Sequence, residues 1–159
     1  MPPKTAQISS TIGCSRAMTK SNYQQHSHAP SIDEYRRLRI DCGLSPKTAE
    51  AASRGLPNSL FATTIRDEGR LIAMGRVVGD GGCNYEVVDV AVHPNYQRQG
   101  LGGSVMKALM SYIENTAPES AYVCLIADDH SPALYSKFGF EPTMPASIGM
   151  ACTVNPRDT

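Results

Sequence analysis

The sequence predicts a mixed α/β fold built on one central, mostly antiparallel sheet flanked by helices. Three observations point there. Two capped helical segments occupy residues 31–55. Three β-rich runs follow between Ser59 and Val92, joined by short glycine turns, the pattern of an antiparallel meander. The chain then alternates strand, helix, strand, helix and strand to Val154.

Taken in order, Asn22–His28 reads as a short first strand. Ser31-Ile-Asp-Glu34 is a capping box, and Gly43 stops the helix that it opens. Ser45-Pro46 offers an N-cap followed by proline at the first helical position, so a second helix is expected from there to Gly55. Ser59–Arg66, Arg70–Val78 and Tyr85–Val92 are strands, separated by Asp67-Glu-Gly69 and Gly79-Asp-Gly-Gly82. Val105, Leu109 and Ile113 recur every four residues with Met106 and Met110 beside them, so Gly102–Asn115 is an amphipathic helix. Ala121–Ala127 is a short buried strand. Ser131-Pro132 opens a short helix that Gly139 closes, and Phe140–Val154 is expected to form a final hairpin through Thr143-Met-Pro145.

Composition narrows the function classes. The 159 residues carry 15 Lys and Arg against 15 Asp and Glu, so charge is balanced and nucleic acid is not favoured as a partner. No apolar run reaches membrane-spanning length, which predicts a soluble chain with no membrane partner. The five cysteines are scattered without a Cys-x-x-Cys pair, against a disulfide framework or a structural zinc site, and no metal is expected. Reduced thiols of that kind point to a cytoplasmic location. Residues 1–20 have no acidic residue and little apolar content, the composition of a disordered extension or, less well, of a transit peptide; residues 21–159 are expected to form a single domain.

The densest signal is Val88–Ser104. A β-rich run breaks at Pro94, and Gln97-Arg-Gln-Gly-Leu-Gly102 leads into the amphipathic helix. Glycine lets the backbone approach a ligand closely, Arg98 supplies charge, and a helix N-terminus presents free N–H groups. The combination suits a pyrophosphate; a strand-to-helix turn without a ligand would use the same glycines. A dinucleotide fingerprint would need glycine at 105, which is Val, and a phosphate-binding Walker loop would need lysine before Ser104, where Gly103 stands.

Val90-Ala-Val-His-Pro94 followed by Gln97-x-x-Gly100-x-Gly102 resembles the acyl-CoA motif of the GNAT N-acetyltransferases. Ala133-Leu-Tyr-Ser-Lys-Phe-Gly-Phe140 resembles a second segment of that family, at the expected distance downstream. The resemblance covers roughly residues 22–154. It implies the GNAT fold, acetyl-CoA as donor, and a pyrophosphate site on Gln97, Arg98, Gln99, Gly100, Leu101, Gly102, Gly103 and Ser104. It also implies that the pantetheine arm lies along Val90, Ala91 and Val92.

Acetylating an amine poses two proton problems. An alkyl ammonium has a pKa near ~10.4, so about one molecule in a thousand is nucleophilic at neutral pH. The departing thiolate in turn needs a proton or a hydrogen bond, and the attacked carbonyl needs a polarising N–H. Tyr135 stands where the family places its general acid. For the base, Glu86 lies on the strand before Pro94; simple alternation puts Glu86, Val88, Val90 and Val92 on one face and Asp89 on the other. Glu86, Asp89 and a water all stay open for this role. His93 reads as a loop residue near the cofactor. Asp128, Asp129 and His130 occupy a region where the family often has an asparagine on CoA; helix capping is their expected role. Cys124 is expected to pack rather than react, since direct attack in a ternary complex needs no acyl-enzyme.

The family builds its acceptor site from the first helices, the fourth strand and the final hairpin, here about residues 38–58, 80–86 and 143–147. Asp41, Asp80 and Glu86 mix there with Leu44, Leu56, Tyr85 and Met144. That mixture predicts a small primary amine with an apolar body, such as an arylalkylamine or a polyamine. A protein acetyltransferase acting on Lys or N-terminal amines, or a non-catalytic acyl-CoA-binding module, are the alternatives. A homodimer through the final hairpin also stays open.

Overall fold

The computed structural model describes residues 22–128 and 131–154. The N-terminal extension, Asp129 and His130 lie outside the described residues. A five-stranded sheet, β1 (Gln24–His26), β2 (Phe61–Asp67), β3 (Arg70–Gly79), β4 (Asn84–Val92) and β5 (Tyr122–Cys124), runs in chain order. Neighbouring strands are antiparallel except for the parallel β4–β5 pair. That one parallel pair is where a helical crossover is required, and α3 (Leu101–Thr116) supplies it. The mixed sheet flanked by helices agrees with the fold class read from the sequence.

Each face of the sheet has its own cover. Helix α3 buries Val105, Met106, Leu109 and Ile113 against Ile72, Val77, Tyr85 and Val87. On the other face, α1 (Ile32–Asp41) and α2 (Ala49–Gly55) bury Tyr35, Leu38 and Ala52 against Leu71, Met74 and Ala91. The capping box at Ser31 forms as expected: Ser31 Oγ accepts from the Glu34 N–H at 3.4 Å and the Glu34 carboxylate accepts from the Ser31 N–H at 3.0 Å. Among the described residues no helix is long and apolar enough to cross a membrane.

Three elements differ from the sequence reading. Helix α2 starts at Ala49, with Thr48 rather than Ser45 as its cap; Thr48 Oγ1 accepts from the Ala51 N–H at 3.1 Å. Two arginines of α1 explain the delay: Arg39 Nε donates to the Ser45 carbonyl and Arg36 Nε to the Lys47 carbonyl, holding that stretch extended. Strand β5 keeps only three of the seven residues expected. The final hairpin does not form: described residues 141–154 contain a turn, with the Ser147 N–H on the Thr143 carbonyl at 3.0 Å, and no strand. Pro142 and Pro145 remove two of the ladder donors that a hairpin would need.

The fourth difference bears on chemistry. The β3–β4 register shifts between Met74 and Arg76, and Asp89, opposite that break, has φ 57°. Such a bulge interrupts the alternation of a strand. Tyr85 and Val87 therefore face α3 before the bulge, and Val90 and Val92 after it, while Ala91 packs under α1 and α2. Glu86, Val88 and Asp89 share one cleft, in place of the predicted split of Glu86 from Asp89.

Candidate active site

The turn after β4 is held by side chains from across the sheet. His93 Nδ1 accepts from the Asn95 N–H at 3.2 Å, and Gln97 Nε2 donates to the Val92 carbonyl at 3.0 Å. Tyr96 Oη donates to Asp67 at 2.9 Å, and Tyr23 Oη to Gln99 Oε1 at 2.7 Å. Arg98 and Gly100 both adopt left-handed backbone, φ 61° and 82°. Gly100 caps α3 with no side-chain hydrogen bond, so the first N–H groups of the helix are not taken by a cap. A Cβ at Gly103 would meet nothing within 4 Å, while one at Gly102 would press on Leu134 at 3.3 Å. The helix end is thus open to an anion and close-packed on α4 (Pro132–Tyr135).

A cleft of about 560 Å³ runs from this turn along β4. Val90, Ala91, Val92, Gln97, Arg98, Gly100, Leu101 and Gly102 line it, so the structure brings these eight residues of the sequence reading together. Gln99, Gly103 and Ser104 do not: Gln99 is engaged with Tyr23, and the Ser104 carbonyl accepts from Gln25. A second cleft, of about 740 Å³, opens between the α1–α2 segment and the first half of β4, with Glu86 in its wall. Five residues line both clefts: Cys42, Leu44, Val90, Asp128 and Tyr135.

Tyr135 is 9% exposed. Burial raises its pKa above the ordinary phenol value; a hydrogen bond with Ser131 opposes the shift and the Asp128 charge adds to it. It is therefore a proton donor, not a phenolate, throughout the neutral range. Glu86 faces the second cleft, and among the described residues its carboxylate has no hydrogen-bond or ion-pair partner. Asp89 is occupied. Its carboxylate accepts from Arg39 Nη1, from Arg76 Nε at 2.7 Å and from Tyr35 Oη at 3.0 Å, and its side chain is 8% exposed. Both guanidinium carbons lie 5.6 Å from the centroid of the Tyr35 ring. With its oxygens engaged by two guanidiniums and a phenol, its work here is to hold the bulge that brings Val90 between the clefts. Burial raises the Cys124 thiol, with Glu86 adding to the effect, so it is not a thiolate nucleophile near neutral pH. Among the described residues no three His, Cys, Asp or Glu side chains are grouped to hold a metal.

Sequence reasoning missed Tyr35, Arg39 and Arg76. The signals were present: Tyr35 and Arg39 are four apart on one helix face, and Arg76 is the one charged residue within the apolar run Leu71–Val78. Their convergence on Asp89 depends on the bulge and on how α1 docks.

Comparison with known proteins identifies the family of the chain. A family model for the acetyltransferase (GNAT) domain matches residues 59–142. An uncharacterised N-acetyltransferase, ycf52, of Porphyra purpurea is 34% identical over 71 residues, 45% of this chain and 40% of that protein. Serotonin N-acetyltransferase 2, chloroplastic, of Oryza sativa subsp. japonica is 35% identical over 113 residues, 69% of this chain and 56% of that enzyme. The chain thus spans about half the length of these two curated relatives. The crystal structure of SA2161, a protein of unknown function and probable acetyltransferase from meticillin-resistant Staphylococcus aureus, superposes with a TM-score of 0.81 at 49% identity. It covers 83% of this chain and 99% of that one.

Proposed function

Because the chain belongs to the GNAT acetyltransferase family, we propose that it transfers an acetyl group from acetyl-CoA to the primary amine of a small molecule, by direct attack in a ternary complex. The observation that carries this reading is the meeting of the two clefts at Val90 and Tyr135. A donor lying along one and an acceptor lying in the other would bring thioester and amine together there.

In this reading the free N–H groups of Leu101–Gly103 and the Arg98 guanidinium hold the pyrophosphate. The pantetheine arm follows Val90–Val92. Glu86, directly or through water, takes the ammonium proton. The freed amine attacks the thioester carbon while a backbone N–H beside Val90 steadies the oxyanion. Collapse of the tetrahedral species breaks the C–S bond, Tyr135 gives its proton to the leaving sulfur, and the second proton, shed by the acylated nitrogen, restores the phenol. The products are the N-acetylated amine and CoA thiol. Arg39 and Lys47 in the acceptor cleft oppose a polycation, so an amine with an apolar body is favoured over a polyamine. The similarity to a serotonin N-acetyltransferase supports the same choice.

The test is thiol release from acetyl-CoA across a panel of small amines, polyamines and lysine peptides. Release with small monoamines is expected; release with peptides alone would move the acceptor to protein. Tyr135→Phe should lower kcat at least about tenfold with little change in acetyl-CoA affinity. Glu86→Gln should remove the acidic limb of the kcat/KM profile, and an unchanged profile would strip Glu86 of its role.

A further inference from the structure

A third, smaller cavity of about 230 Å³ lies between α1, α2 and β3. Its walls are the small or apolar Ala51, Ala52, Gly55 and Leu56, with the Tyr35 ring. Both charged residues that line it, Lys47 and Arg76, are cations. Lys47 also lines the acceptor cleft, so the two spaces adjoin at that side chain.

The local charge is not balanced. Arg39 and Arg76 share the single Asp89 carboxylate, and Lys47 stands beside them. Arg76 spends Nε on Asp89 and Nη1 on Ser59 Oγ at 2.8 Å and the Gly55 carbonyl at 3.3 Å; its Nη2 has no acceptor among the described residues. Yet the Arg76 side chain is only 11% exposed and that of Arg39 only 8%. Burying more cation than anion is costly unless an anion completes the set. The Tyr35 ring face offsets part of that cost, but it brings no negative charge.

The acceptor cleft is lined by both signs of charge. Asp128 and Tyr135 line both the acceptor and the donor cleft, and Glu86 lines the acceptor cleft. Lys47 stands where the acceptor cleft adjoins the small cavity, with Arg76 in the cavity behind it, and Arg39 lines the acceptor cleft on Asp89. An acceptor with its ammonium toward Glu86 whose body reaches the small cavity would meet Lys47 and Arg76 there. We infer that the cavity between α1, α2 and β3 is an anion subsite, and that the acceptor is a small amine whose body ends in a carboxylate or phosphate. This inference rests on the acetyltransferase reading above and refines its acceptor.

The experiment measures CoA thiol release with matched acceptors: amines ending in a carboxylate or a phosphate, each paired with its neutral amide or alcohol. The anionic member should have at least a tenfold higher kcat/KM, most of it in KM, and the advantage should shrink with added salt. The carboxylate and phosphate arms show which anion is used. Two substitutions at exposed positions probe the subsite, Lys47→Ala and Ala51→Glu, the latter placing a negative charge at the cavity wall. In each the ratio of anionic to neutral kcat/KM should fall toward one. Equal or better turnover of the neutral partners, or a ratio that neither substitution moves, overturns the inference and leaves the acetyltransferase reading intact. Thiol release with no amine of either kind overturns both.

Discussion

Asp89→Asn isolates the charge at the centre of the site. Asparagine adopts left-handed backbone about as readily as aspartate, so the φ of 57° is not the variable. Asparagine also keeps one oxygen that can accept from Arg76 Nε or Tyr35 Oη. What disappears is the negative charge between two guanidiniums whose side chains are 8% and 11% exposed. Removing one partner of a buried pair costs about 3–5 kcal/mol. The Tyr35 ring and the retained hydrogen bond place this case at the low end, about 3 kcal/mol. For a chain of this length that corresponds to a Tm lower by about 6–12 °C. Urea unfolding followed by circular dichroism, with the wild type alongside, measures it directly. The loss should persist in 1 M salt, because a buried pair is poorly screened. Adding Arg76→Met to Asp89→Asn should recover part of the loss, since it removes one stranded cation. A free-energy change below about 0.5 kcal/mol, the range of an exposed pair, would falsify the buried clamp.

Three further outcomes follow from the packing and the charges. Gly75→Ala should cost about 1–3 kcal/mol in denaturant unfolding, because a Cβ there would lie 2.6 Å from Val105 Cγ1 and 2.9 Å from Leu109 Cδ1. Hydrogen bonding to Arg66 and Ser31 holds the Glu34 carboxyl down at about 2 despite the opposing effect of burial. A depressed carboxylate stabilises the fold above its unfolded pKa of about 4.3 and loses that contribution as pH falls toward about 2. The stability gap between wild type and Glu34→Gln should accordingly be constant above about pH 5.5 and close on acidification, and a gap independent of pH would count against the pairing. Burial and the neighbouring Asp41 push the Cys42 thiol up to about 11. Iodoacetamide at pH 8 should therefore label Cys42 slowly in the folded protein and quickly in urea, read by peptide mass spectrometry; equal rates would argue against its burial.

Much of this architecture was legible in the chain. The capping box at Ser31, the fourfold spacing of Val105, Leu109 and Ile113, and the glycine turns flanking β3 act within a few residues, so local chemistry suffices to place them. Helix α2 was misjudged because the carbonyls that delay its start are held by Arg36 and Arg39, side chains of another helix. The final hairpin was misjudged because a turn signal at Thr143-Met-Pro145 does not by itself form flanking strands, and here two prolines weaken the ladder.

The proposed donor side of the site belongs to the sequence. Gly100, Gly102 and the helix behind them form one continuous stretch, and a helix N-terminus exposes its N–H groups wherever the rest of the fold puts it. The acceptor side belongs to the packing. A single extra residue in β4 turned Glu86 and Asp89 to the same cleft, and two arginines from separate elements then bound Asp89 and left Glu86 without a partner among the described residues. Period-two reasoning cannot foresee a bulge, since only the partner strand reveals the shift in register. A surplus of buried positive charge arises in the same way, from residues 39, 76 and 89 meeting in space beside the exposed Lys47, and it has no trace in a chain whose overall charge is zero.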